Sequence, residues 1–492
     1  MNSTCVFCFQ IFVTAFLGFM PCLAADFYVD PLTGSMQNDG SYDSPWRTLE
    51  EVIDLNLVAS QAWESHPYSP DLSLVPKNEG APVQAGDIIY LRNGYHGVVS
   101  LIEYYNAAPI TITNQAGHSP QLARLQIRSA QNWSISGLTL SPELAPVYET
   151  ATLIDLDSHS WTGPIWDCQV QDCFAYSVID SSSWTLQNWN DLACNGISLD
   201  GDRLSAQSNR LLNVNFGITA SGEHCQVVDN TVENFAGDGL RGLGDFGTFE
   251  GNLIKNCYDV NGNHDDGFQS WSNGPSGVGS GTVYGIVIRG NTFINYEDPN
   301  QPFRGTLQGI GCFDGFFEDW VIENNVVMVD HWHGITLMGA RNCRIVNNTV
   351  IDLNAENPGP PWIRITAHKD GTPSSGCTVR NNLASSYNSD STGVTEDHNV
   401  QIAFSAYESE FIDVTQGNLR LLAGSSAVDM GSPDLAPLVD QDGVDRPQLA
   451  AWDCGAFEYR LCDNFYFFLG GWPHPNNLLV LLLNYDCEDP TL

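Results

Sequence analysis

The chain has 492 residues, with 58 Asp and Glu against 19 Lys and Arg, a formal net charge of −39 and a pI near 4.2. That balance excludes a nucleic-acid partner, because phosphate binding needs a basic face. It also sets a condition on any anionic substrate, which must be attracted locally, by arginines or bound cations, against the field of the whole molecule.

Residues 1–24 carry an apolar run from Val6 to Phe19 and end in Cys22-Leu23-Ala24, the pattern of a secretory signal, although no Lys or Arg stands near Met1. No later stretch is long and apolar enough to span a bilayer, since Leu478 to Leu483 is only six residues. The expected product is a secreted monomer, extracellular or periplasmic. Eleven of the 14 cysteines follow this segment, and no CxxC pair occurs among those eleven, so zinc has no support. Cys225, Cys343 and Cys377 each open the same strand in a different repeat, as stacked buried thiols would.

Residues 25–108 read as an N-terminal cap and first coils. Phe27-Tyr-Val-Asp-Pro gives a strand, Asn38 to Pro45 a turn-rich loop, and Thr48 the N-cap of a short helix. From 109 to 415 the chain is repetitive. The phrase Asn-x-apolar-x-Asn occurs at Asn209, Asn230, Asn252 and Asn291 and decays at Asn325, Asn348 and Asn382. Successive starts lie 21, 22, 39, 34, 23 and 34 residues apart, a unit of about 22 that sometimes carries an extra loop. Each phrase follows an alternating run such as Cys225-Gln-Val-Val-Asp or Trp320-Val-Ile-Glu, which reads as one strand with alternate residues buried. An Asn at the same turn of every coil can stack on its neighbours and bond backbone groups that no ladder satisfies. Leucine-rich repeats of similar length need several leucines per unit, and these units favour Val, Ile and Phe. The fold class is therefore all-β, a single right-handed parallel β-helix solenoid with an N-terminal capping helix.

A second step recurs between phrases, a residue followed by Gly and an apolar residue: Asn195-Gly-Ile, Phe216-Gly-Ile, Asp238-Gly-Leu, Asp266-Gly-Phe, Gln308-Gly-Ile and His333-Gly-Ile. Two residues after the Gly, the side chain must point outward if its apolar neighbours point inward. That column reads Ser198, Thr219, Arg241, Gln269, Gly311, Thr336 and Arg364. Adjacent coils of a parallel sheet lie about 4.8 Å apart, so neighbouring rows can touch one sugar unit or one metal. The densest polar cluster falls on this face: Asp238, His264, Asp265, Asp266, Arg241 and Gln269 from adjacent coils, then Gln308, His331 and His333, with extra loops that could wall a groove beside Trp271, Tyr284 and Arg304. Asp-Gly and His-Gly steps are also ordinary turn chemistry. His264-Asp-Asp is the stronger signal, because titratable groups in a row are costly unless used or metal-bound. Residues 416–460 read as a C-terminal closing segment, and the tail 461–492 fits no part of the scheme.

The opening segment, coils and closing segment together resemble secreted β-helix proteins of the pectate-lyase-like superfamily, and the coils from about 190 to 385 resemble those of polysaccharide lyases, uronan C5-epimerases and polygalacturonase-type hydrolases. The hydrolase pattern Asn-Thr-Asp, Asp-Asp, Gly-His-Gly, Arg-Ile-Lys is echoed in order by Gly237-Asp238, Asp265-Asp266, Trp332-His333-Gly334 and Arg364-Ile365-Thr366. The Asn-Thr is absent, Thr366 replaces the lysine, and an additional coil precedes His333.

The resemblance implies first a lyase or epimerase that abstracts the C5 proton of uronic acid residues in a polysaccharide. Asp238, His264, Asp265, Asp266 and His333 are then the catalytic candidates, and Arg241, Gln269, Gln308, His331, Arg364 and Trp271 the substrate-binding ones. Calcium held by Asp238, Asp265 and Asp266 is a candidate cofactor, and no organic cofactor is expected. The alternatives are an inverting glycoside hydrolase using two of the same aspartates, or a glycan-binding solenoid without catalysis.

Overall fold

The computed structural model describes residues 24–390 and 392–460; the expected signal segment, except its last residue, and the tail 461–492 lie outside the described residues. The apolar runs are short, so each coil bends twice and places three strands on three faces. Ile218–Ala220, Gln226–Val228 and Thr231–Phe235 form one such coil. The next coil repeats it in register, with Ile218 beside Leu240, Val227 beside Phe249 and Val232 beside Ile254, all parallel. These inward residues are fully buried and belong to one continuous core that runs the length of the solenoid. The result is a parallel β-helix. Its first and second faces are joined at the N-terminal end, where Val98–Asn114 and Arg124–Ser136 pair along most of their length as single long strands.

The bend between the second and third faces is built the same way in successive coils. Ser208, Asp229, Gly251, Gly290, Asn324, Asn347, Asn381 and His398 hold φ between 51 and 68°, which turns the chain, and an Asn follows each of them. The amide nitrogen of Asn209 donates to Asn230 Oδ1, that of Asn230 to Asn252, that of Asn252 to Asn291, and so on through Asn325, Asn348 and Asn382 to Asn399, each at 2.9–3.0 Å. Each side-chain Nδ2 also bonds the next Oδ1 and a carbonyl of the preceding coil. The asparagine amides of this buried corner are thereby paired from coil to coil.

The N-terminal helix, Leu49–Asp54, starts at Thr48, whose Oγ1 accepts from the Glu51 amide, and it buries Leu49, Val52 and Ile53 in the main core. The closing segment does not continue the coil. It lies along the third face, where Leu419, Leu421, Ala456, Phe457 and Tyr459 cover Val326, Met328, Ile351 and Leu383. A fully buried Arg446–Glu458 pair at 2.6 Å anchors it, and Arg446 also donates to Asn324 Oδ1. The nine described cysteines are all free and buried. Cys343 and Cys377 are neighbours, but by register Cys225 is separated from them by Gly247, Ile286 and Trp320, so the expected stack of three is a pair and a single thiol. No helix among the described residues is long and apolar enough to cross a membrane.

Asn291→Ala removes the acceptor for the Asn252 amide and the donor for the Phe249 carbonyl, both buried. Unfolding in urea should show a loss of about 3–5 kcal/mol, whereas Gln226→Ala, exposed on the second face, should change stability by less than about 0.5 kcal/mol.

Candidate functional site

The outward column expected on the first face is present. Register places Ser198, Thr219, Arg241, Gln269, Gly311, Thr336 and Arg364 side by side on successive coils. Loops flank this face on two sides. On one side stand Trp189 and Tyr258, with rings 4.7 Å apart, and Phe303. On the other, Lys369 pairs with Asp314 at 2.6 Å. Tyr284 belongs to a small side sheet beside Phe316–Glu318, and Arg304 lies over Tyr296, 4.8 Å from its ring centre.

A buried acid cluster lies in the middle of the face. Asp238 and Asp266 are each 0% exposed and Asp265 6%. Arg241 Nε donates to Asp238 Oδ2 at 2.6 Å, and the Asp266 amide donates to the other oxygen at 3.2 Å. The Arg241 guanidinium lies 3.5 Å from the Phe216 ring centre and 5.5 Å from that of Trp271. Burial nevertheless outweighs Arg241 and raises the Asp238 carboxyl above its ordinary value. Asp266 is pushed well up by burial and by the charge of Asp238, and Asp265 is pushed up to about 8 by burial and then by Asp259 and Asp238. The adjacent acids have different surroundings. Asp265 receives a bond from Asn263 and sits by the Cys257 thiol, toward the loops. Asp266 stays on the face, its Oδ2 accepting from Gln269 Nε2 at 2.9 Å and its Oδ1 buried without a partner.

A second cluster lies nearer the C-terminal end of the face. His331 and His333 stack at 5.2 Å, and the His333 amide donates to His331 Nδ1, so the proton of neutral His331 is on Nε2. His333 Nδ1 is 3.0 Å from Thr336 Oγ1, and that oxygen accepts from Trp362 Nε1. A one-residue shift in pairing between His333 and Ile335 brings Trp362 level with His333, their rings 5.3 Å apart. Burial, then His331 and Arg364, lower His333 to about 4, and burial and His264 lower His331. Both imidazoles are thus neutral at neutral pH. Arg364 pairs with Asp390 through Nη2, while its Nε is buried without a partner.

The face brings together Asp238, Asp266, Arg241, Gln269, Gln308, His331, His333 and Arg364. Gln308 is in register with Asp266, its Oε1 buried and unpartnered. Trp271 is half-buried at the rim, and His264 is exposed in the loop before the acids. Both Asp238 oxygens accept from protein donors, and no group of three or more His, Cys, Asp or Glu among the described residues could hold a metal ion. Four neighbours had no role assigned from the sequence: Asn263, which bonds Asp265; Phe313, two residues after outward Gly311; and Trp332 and Trp362, whose rings stack at 6.3 Å beside the histidines. Phe313 was legible from strand alternation alone.

No family model and no curated protein sequence matches this chain. Solved structures do match. XylC in complex with xylose is 9% identical, with 88% of this chain and 99% of that one covered, at a TM-score of 0.51. The pectate lyase Pel9A is 13% identical over 89% and 96% of the two chains at 0.42, and the A-module of the Azotobacter vinelandii mannuronan C-5 epimerase AlgE6 is 11% identical over 64% and 90% at 0.38. What is shared is the parallel β-helix fold.

The raised Asp265 carboxyl gives a test in stability. A folded-state value above the unfolded one contributes stability that is fully present below the ordinary value of 3.8 and is lost as pH rises through about 8. Asp265→Asn removes that dependence. Urea unfolding should show the variant gaining on the wild type between pH 5 and pH 8, by on the order of 1–3 kcal/mol.

Proposed function

We propose that this protein is a polysaccharide-active enzyme that abstracts the C5 proton of a uronic acid residue, as a lyase or an epimerase. The observation that carries this reading is His333: an imidazole held neutral, on the same face as a protonated carboxyl, with the unpartnered Nε of Arg364 in the next coil, where Arg364 is in register with Thr336. A neutral imidazole is a base, a protonated carboxyl is an acid, and a guanidinium binds a carboxylate.

In elimination, His333 Nε2 takes the C5 proton while its Nδ1–H donates to Thr336 Oγ1. The C5–H electrons form the C4–C5 double bond, the C4–O bond breaks, and the departing oxygen takes the proton of Asp266. Arg364 neutralises the uronate carboxylate, which makes the C5 proton removable. In epimerisation the proton instead returns to C5 from the opposite side of the ring. Each reaction begins at the same base.

Hydrolysis by the aspartates fits less well. An inverting glycosidase needs an ionised carboxylate facing a water, and both Asp238 oxygens are engaged by protein donors. Protonation of Asp265 and Asp266 also answers the charge problem, since it removes negative charge from the face that an anionic polymer must approach.

Incubation with alginate, pectate, chondroitin and neutral glycans, following ultraviolet absorbance, reducing ends and uronate stereochemistry, tests the proposal. Unsaturated ends identify a lyase and inverted C5 without cleavage an epimerase; reducing ends without absorbance would overturn both. His333→Gln should lower kcat by about 10²- to 10⁴-fold, and kcat/KM should fall on acidification through about 4 as the wild-type imidazole takes up a proton. Net charge of −39 repels an anionic polymer at long range, so KM should fall as ionic strength rises from about 0.01 M to 0.15 M, where the Debye length shrinks from about 30 to 8 Å.

A further inference from the structure

We infer that the subsite for the reacting sugar is the notch over Gly311, and that Phe313 fills this notch as a movable cover until a glycan displaces its ring. The inference rests on the reading that this face acts on a glycan. It begins with a gap in the outward column. Rows from Ser198 to Arg364 all present a side chain except at Gly311. Gly311 does not adopt a positive φ, so the backbone does not require glycine there. Space does: a Cβ at Gly311 would stand 2.1 Å from Asp266 Oδ1 and 2.8 Å from the Phe313 ring.

The carboxyl beneath the ring is set for donation. Gln269 donates to Asp266 Oδ2, so the proton of the neutral acid belongs on Oδ1, the buried oxygen that has no partner. An unused buried donor is costly, and its cost has a purpose if a ligand oxygen arrives. On the far side, Phe313 meets His333 at 4.8 Å with rings 67° apart. The ring therefore stands between Asp266 and His333, which is where a sugar must sit for one to give a proton and the other to take one. Phe313 is half-buried and belongs to none of the buried core clusters, so displacing it leaves core packing intact. The apolar C–H surface of a pyranose replaces the apolar ring, and its hydroxyls reach polar atoms that the ring cannot satisfy.

Phe313 is a positioning residue, and its test reads accessibility as well as turnover. Carbodiimide with an amine probe, mapped by peptide mass spectrometry, should leave Asp266 nearly unlabelled in the wild type. In Phe313→Ala labelling should rise at least ten-fold, with Phe313→Leu intermediate, both variants being checked for native circular dichroism. KM for the polymer turned over should fall several-fold in both, since the glycan no longer competes with the ring. An Asp266 as unreactive in both folded variants as in the wild type overturns the cover, and an unchanged or raised KM overturns the subsite. Labelling needs no turnover, so a protein that labels as expected but abstracts no C5 proton upholds the cover and sinks only the lyase or epimerase reading.

Discussion

The asparagine ladder is the constraint on which the rest of this molecule depends. Parallel strands of two or three residues have weak register of their own, and a slip of one residue would turn every core side chain to water. The ladder removes that freedom. Each amide must meet the oxygen of the next coil, so the second and third faces are locked at one corner however long the rest of the coil is. Loops can then grow beside the first face without disturbing the core. Coil spacings of 21 to 39 residues are accommodated in this way, and the additional residues form the flanking loops.

The second physical theme is the conflict between burial and charge. The protein is strongly acidic, yet the middle of its first face holds carboxyls that burial keeps neutral beside a single paired guanidinium. The imidazoles farther along are kept neutral by the same desolvation, acting in the opposite sense on a cationic group. The face is thus far less negative than the molecule that carries it. Acid and base forms coexist there at one pH because their environments push their proton affinities apart.

Most of the fold was legible because repetition amplifies weak signals. One Asn-x-apolar-x-Asn phrase means little, but its return fixes the period, and the period fixes which residues share a column. The outward row from Ser198 to Arg364 followed from strand alternation alone and matches the observed register. Features that depend on side-chain direction at bends were hidden. Asp265 and Asp266 are adjacent in sequence, yet one turns to the loops and the other stays on the face. The shift at His333 that sets Trp362 beside it depends on a pairing irregularity that no periodicity carries. The closing segment was recognised as a unit, but its place along the third face depends on outward Val326, Met328 and Leu383 finding partners far along the chain.

That placement changes the connectivity of the solenoid. In a simple repeat array each unit touches only its neighbours, and fraying can travel inward from an end. Here hydrogen bonds join Gln441 to Thr292, Val439 to Asn324 and Asp453 to Asn347, across 149, 115 and 106 residues. The last coils are therefore wired in parallel rather than in series. Their cooperativity is that of a closed circuit: losing the terminal strand does not by itself release the coils before it, and the whole block from Asn291 onward must wait for residues near 450 before it is complete.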